Sequence, residues 1–284
     1  MRFGVFYELQ LPRPWNQGDE RNLFHQALQQ VELADRLGYD YAWEVEHHFL
    51  EEYSHSSAPE VFLAAAAART KTIRLGHGIR QVIPNYNHPA RTAEGLATLD
   101  IMSDGRLDFG IGEGATRLEL GGFRIPAKEK RAMALEAAEQ IANMMVLEPY
   151  PGFEGKYFSM PCRNILPKPV QSPHPPMWMA CTNRDTIKIA AQNGVGALAF
   201  SFLNPEEARH WADIYYGIIK SDACCRLVTR SMPTLPWCQA FRCIATAPRP
   251  SAAVSMVSSS SAMRSTRSLH TTPCPAAAVS GATL

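Results

Sequence analysis

The stretch Ile73–Ile111, IRLGHGIRQVIPNYNHPARTAEGLATLDIMSDGRLDFGI, holds the pattern that decides the fold. Its opening, Ile73–Val82, contains an apolar strand. Pro89 opens a helix, proline being favoured in a first helical turn because its missing N–H would have no partner there. The helix runs to about Met102, Gly105 turns the chain, and Leu107–Ile111 is a second apolar strand. Two short strands joined by a helix lie parallel, because the helix carries the chain back over the sheet before the next strand begins.

The same unit repeats on both sides. Upstream, Met1–Leu9 is a strand, and Leu23, Ala27, Val31, Ala34 and Leu37 recur at helical spacing before Gly38 ends the helix. Tyr41–Val45 and Pro59–Arg69 form the next strand and helix. Downstream come a long helix over Ala127–Leu147 and a Pro- and Gly-rich excursion, Pro149–Pro176, with room for a short hairpin. Strand Met177–Ala180, helix Arg184–Asn193, strand Ala197–Phe200 and helix Pro205–Ile219 follow. Alternation alone does not separate a doubly wound sheet from a barrel. Six consecutive β/α units with chain left for two more favour a (β/α)8 TIM-type barrel, incomplete in that the C-terminal units are missing or garbled.

The texture changes at Asp222. All 27 acidic residues lie at or before it, together with 22 of the 28 basic ones, a net of −5; the remainder carries six Arg, no Lys and no acid. Five of the seven cysteines also fall beyond it (Cys224, Cys225, Cys238, Cys243 and Cys274), in no zinc-like spacing. Ser251–Ser261 reads SAAVSMVSSSS. Residues 1–222 are therefore expected to form the barrel, and 223–284 an atypical tail, either a shifted reading frame or a disordered extension.

Composition excludes several classes of function. The acidic balance of the first part argues against nucleic acid as the main partner. The longest apolar run, Val61–Ala68, falls far short of the roughly 18 residues of a membrane helix. The N-terminus enters a strand without a secretory pattern, so a cytoplasmic location is expected.

The polar residues collect after strands. Glu46-His47-His48 follows the second, Arg80-Gln81 and Asn85 to His88 the third, Glu113 the fourth, Cys181 to Arg184 the fifth and Ser201 the sixth, whereas the helix-to-strand connections are short and bland. Chemistry on barrels sits at the C-terminal ends of the strands. Adjacent strand residues point to opposite faces, so His47 and His48 are poor joint metal ligands, and no metal site is expected. A histidine there suits general acid–base work, or is simply a satisfied structural residue. Gly110–Ala115 matches the loose form of a dinucleotide fingerprint, but it lies at the fourth strand and runs into Gly121, Gly122 and Pro126, which reads as loop. Its glycines let a flat ring or a second backbone come close. Thr182-Asn183-Arg184-Asp185-Thr186 begins a helix, where either a phosphate or a plain N-cap is served.

Taken in order, GYDYAWEVEHHF (Gly38–Phe49), NHPAR (Asn87–Arg91), LDIMSDGRLDFGIGEG (Leu99–Gly114) and AAQNGVGALAFSF (Ala190–Phe202) resemble the bacterial luciferase-like flavin monooxygenase family over residues 1 to about 222. The resemblance implies reduced FMN delivered by a separate flavin reductase, oxygen as co-substrate, insertion of one oxygen atom into a small apolar organic substrate, and a homodimer. It assigns His47, with His48 beside it, to catalysis. It places Gly78 and Ile79 in the backbone under the flavin ring, where an unusual peptide bond is common. It sets Glu94 and Phe202 near the ring, and Arg131, Thr182, Asn183, Arg184 and Thr186 around the flavin phosphate. Gly112 stands where luciferase has a reactive cysteine, so light emission is not implied, and Glu113 stands where it has a phosphate-side arginine. The alternatives are a deazaflavin-dependent oxidoreductase that transfers hydride, or a non-catalytic, degenerate flavin-binding paralogue.

Overall fold

A computed structural model describes residues 2–199, 205–225 and 227. It contains β1 (Gly4–Tyr7), α1 (Asp19–Arg36), β2 (Tyr41–Glu44), α2 (Pro59–Arg69), β3 (Arg74–Gln81), α3 (Pro89–Met102) and β4 (Leu107–Gly112). Then follow α4 (Arg117–Gly122), α5 (Lys130–Val146), the two-residue strands β5 (Phe153–Glu154) and β6 (Ser159–Met160), β7 (Met177–Ala180), α6 (Arg184–Gln192), β8 (Gly196–Leu198) and α7 (Pro205–Ile219). The six long-range strands pair in the order β1-β2-β3-β4-β7-β8, every neighbour parallel. A doubly wound sheet reverses its strand order at a switch point; this one runs in chain order, as a barrel wall does.

The sheet is strongly curved. Trp43 on β2 meets Trp178 on β7 edge to face, with ring centroids 5.7 Å apart. In a flat sheet, strands three places apart lie roughly 14 Å apart. Alternation gives each strand two faces. Ala42, Leu75, Leu107, Phe109 and Ile111 face the helices and share one core with Val31, Leu63, Leu96 and Ile141. Tyr41, Trp43 and Leu198, with Phe6, Ile79 and Trp178, form a second cluster on the concave face. Glycines make room for its indoles. A Cβ at Gly76 would fall 2.1 Å from Trp43 Cε3, and one at Gly196 2.3 Å from Trp178 Cε3. Below them Asp108, buried on the same face, accepts from Trp178 Nε1 at 2.8 Å and pairs with Arg74. The described part of the chain is thus six units of an incomplete (β/α)8 barrel, with a packed interior.

Two expectations are corrected. The chain after Gly114 is not loop: Thr116 and Glu119 close a capping box over α4, each side chain bonding the other's backbone N–H. The long helix begins at Lys130 rather than Ala127. The expected hairpin is the antiparallel pair β5-β6. Gly38 takes a φ of 78° after α1, the left-handed conformation a helix stop requires. Apart from 223–225 and 227, the expectation for the tail lies outside the described residues.

Candidate active site

Because every strand of the wall is parallel, the segments after β1, β2, β3, β4 and β7 all open on one rim. His47, two residues past Val45, is pinned through its backbone N–H to Ser56 O at 2.8 Å. Its ring lies between two carboxylates. Nδ1 is 3.0 Å from Glu119 Oε1, and Nε2 is 3.7 Å from Glu8 Oε2. Tyr53 packs edge-on against the ring at 5.5 Å and donates its hydroxyl proton to Glu8 Oε1 at 3.2 Å.

The carboxylates differ in kind. Glu119 is fully buried. Burial alone would raise its carboxyl, but hydrogen bonds from His47, from the Thr116 hydroxyl and from the His48 N–H outweigh it and hold the group below its ordinary value. It is therefore a carboxylate, able only to accept, and the His47 nitrogen facing it carries a proton. Burial raises the Glu8 carboxyl, and the His47 ring and the Tyr53 hydroxyl only partly oppose this.

His48 has a separate environment. Its Nε2 lies 3.1 Å from Glu46 Oε1, and its ring sits among Phe49, Tyr86 and Phe123. Buried Glu46 also accepts from the Gln81 N–H and from Asn87 Nδ2, both at 2.9 Å. Glu46 thus fastens the loop after β2 to the end of β3, with His48 bonded to it, while His47 faces the rim.

The remaining expected residues divide into groups. Gly78 and Ile79 sit where the β3–β4 register shifts, between His77 and Arg80. Among the described residues the cis peptide bonds all precede proline, so the unusual feature here is a bulge. The bulge sends Ile79 onto β4: a Cβ at Gly112 would lie 2.0 Å from Ile79 Cδ1, and one at Gly110 2.1 Å from His77 O. Those β4 glycines accommodate a neighbouring strand, the second of the two roles expected for them. Glu94 faces Arg91 at 3.3 Å on α3. Arg131 makes a two-pronged pair with Glu113, both contacts at 3.1 Å, and Lys130 reaches the same carboxylate at 3.2 Å. Asn183 caps α6, accepting from the Asp185 and Thr186 N–H groups at 3.1 and 3.0 Å, while the Thr186 hydroxyl accepts from the Asn183 N–H in return. The N-cap reading of that segment is thus present in the structure. Thr182 and Arg184 are exposed. Phe202 lies outside the described residues.

Arg131, Glu113 and Thr186 line one pocket of about 50 Å³ with apolar walls from Val82, Ile111, Met179 and Ile189. Cofactor sites typically enclose several hundred Å³. This pocket suits one end of such a molecule, the rest extending over the rim. Lys130 and Arg131 share the carboxylate of Glu113 near the N-terminus of α6, whose first-turn Asp185 also acts on Arg131; two cations beside a helix start fit a phosphate. Among the described residues no group of three or more His, Cys, Asp and Glu has a metal-holding geometry.

Glu8, Tyr53 and Glu119 were not among the residues singled out from sequence. Glu119 carried a readable signal, the Thr-x-x-Glu spacing of a capping box. Glu8, an acid at the end of an apolar strand, carried a weaker one.

Residues 1–263 match the sequence family described as luciferase-like monooxygenase. The oxygenase component of flavin-dependent trigonelline monooxygenase from Acinetobacter baylyi is 32% identical over 199 residues, covering 68% of this chain and 52% of that protein. The chain spans about half the length of the curated relatives it matches. Among solved structures, monooxygenase RslO1 from Streptomyces bottropensis superimposes with a TM-score of 0.70 at 32% identity, over 82% of this chain and 68% of that one. The coenzyme F420 dependent tetrahydromethanopterin reductase of Methanopyrus kandleri shares the fold, with a TM-score of 0.59 at 23% identity over 77% of this chain and 61% of that one.

Proposed function

From the premise that this chain belongs to the luciferase-like monooxygenase family, we propose that it is the oxygenase of a two-component flavin monooxygenase, inserting one atom of molecular oxygen into a small apolar organic substrate. The observation that carries the reading is His47 on the rim, held at Nδ1 by Glu119 and leaving Nε2 as a base. A relative that is named an oxygenase component supports a separate flavin reductase as the source of reduced FMN. Reduced FMN supplies the electrons and the oxygen chemistry when bound.

The chain's own residues bind, orient and move protons. Arg131 and Lys130, with Asn183, Arg184 and Thr186 at the start of α6, hold the phosphate end, Arg131 and Thr186 lining the apolar-walled pocket there. Gly78 and Ile79, at the β3 bulge, supply backbone under the flavin ring, and His48 stands beside His47 for catalysis, on the strength of the family resemblance. Glu94, Phe202 and Thr182 complete the flavin surroundings on the strength of the family resemblance. His47 moves a proton at Nε2. No helix among the described residues is long and apolar enough to cross a membrane; a cytoplasmic location is part of the proposal. A homodimer is the proposed assembly.

The deciding experiment gives the chain photoreduced FMN and ¹⁸O₂ with a panel of small terpenes and aldehydes, and follows oxygen uptake and label in the products. Labelled product is expected, and its loss in His47→Ala with FMN still bound. Substrate reduction by a reduced deazaflavin without oxygen uptake overturns the reading in favour of hydride transfer. FMN binding with neither activity indicates a degenerate paralogue.

A further inference from the structure

The His47 ring faces carboxylates on both edges, and only one of those contacts is closed. On the Nδ1 side Glu119 is ionised and saturated with donors, so Nδ1 keeps its hydrogen and Nε2 of the neutral ring is left with a lone pair. On the Nε2 side stands Glu8 Oε2, at 3.7 Å, buried and without a hydrogen bond among the described residues. Two acceptors facing each other out of water repel, and a buried acceptor without a donor loses the hydrogen bonds that water would give it. A single proton between them removes both penalties.

We propose that Glu8 and His47 hold one exchangeable proton between Oε2 and Nε2, so that the rim carries a proton store and not a lone base. Tyr53 is the positioning residue of the pair. Its hydroxyl holds Glu8 Oε1, and its ring edge covers the imidazole, which turns Oε2 toward Nε2. The titratable groups facing the ring are Glu119 from α4, Glu8 from the end of β1, and Tyr53 from the loop after β2. Burial of Glu8 moves its proton affinity toward that of an imidazole, the condition for easy exchange. In the transfer the Oε2–H bond breaks, its electron pair stays on the carboxylate, and a new N–H bond forms at Nε2. Nothing is oxidised or reduced. The inference rests on the reading of His47 as the residue that moves protons, and it identifies where that proton is kept.

The test uses the full chain labelled with ¹⁵N-histidine, without flavin, His47 being assigned by its loss in His47→Gln. Nitrogen–proton correlation spectra are expected to show neutral His47 protonated at Nδ1. Its signals are expected to titrate in two steps, since coupled groups share their protons. In Glu8→Gln, which keeps the shape but cannot accept the proton, the two steps become one, and oxygen-transfer turnover falls about tenfold with FMN affinity unchanged. An Nε2-protonated neutral ring overturns the proposal, as does a single step that Glu8→Gln leaves untouched. Once His47 is assigned, the wild-type spectrum decides the tautomer, whatever Glu8→Gln does to folding. Full turnover by His47→Ala would remove the catalytic reading while leaving the spectroscopic signature of the pair in place, so the two failures are distinguishable.

Discussion

At the scale of single residues, opposite placements of similar groups set the behaviour of the site. Glu119 is held below its ordinary value when folded, so its share of stability is complete above the unfolded carboxylate range, about pH 4.3, and drains as pH falls toward the folded value. Glu8 is raised, so its share is complete below that range and is lost as pH rises through the folded value. Urea midpoints measured from pH 3 to 7 should therefore show Glu119→Gln flattening the acid loss of stability. Glu8→Gln should gain relative to wild type as pH rises. A parallel offset of both curves would refute the assigned directions. The Arg131–Glu113 pair makes an equally signed prediction. Arg131→Ala removes a charged donor, each worth about 1.5–3 kcal/mol, and should weaken FMN roughly tenfold or more. Glu113→Gln removes the competing carboxylate and should tighten it. Fluorescence titration of FMN reads both, and equal affinities in the two variants contradict a phosphate at this pocket.

At the scale of elements, caps decide where the rim segments begin. Thr116 and Glu119 turn a glycine-rich passage into α4, and that helix start delivers Glu119 to His47. Asn183 satisfies two of the first N–H groups of α6. Asn183→Ala should cost about 1 kcal/mol, seen as a lower thermal midpoint, whereas Asn183→Asp should hold or raise it, because an anion also suits the positive helix end. An unchanged midpoint in the alanine variant would show that the cap contributes nothing. The same cap occupies N–H groups otherwise free for a phosphate, which leaves Arg131 and Lys130 as the principal charged donors at that end.

At the scale of the whole molecule, curvature makes the site. Trp43 and Trp178 meet across β3 and β4 only because Gly76 and Gly196 leave them space. A methyl group at Gly76 would strike the Trp43 ring, so Gly76→Ala should destabilise by about 1–3 kcal/mol. Trp43→Phe in the same chain should recover part of that loss, a coupling that a double-mutant cycle on chemical denaturation measures. Strict additivity would mean that the indole does not fill the space left by Gly76.

The sequence by itself determined the β/α alternation, its parallel sense and the end of the sheet that carries polar residues. Periodicity, Pro89 and Pro59 at helix starts, and Gly38 at a helix stop are properties of chain neighbours, and each is legible without a partner. It also marked His47, through its place beside an apolar strand. The tertiary structure alone decided the company that His47 keeps. Glu119 is 72 residues away along the chain, and meets the ring only because parallel strands in register bring their C-terminal ends to one rim. It also decided that His47 and His48 part company, and that the β4 glycines receive Ile79. Contacts between distant segments depend on curvature and register, which no local pattern encodes.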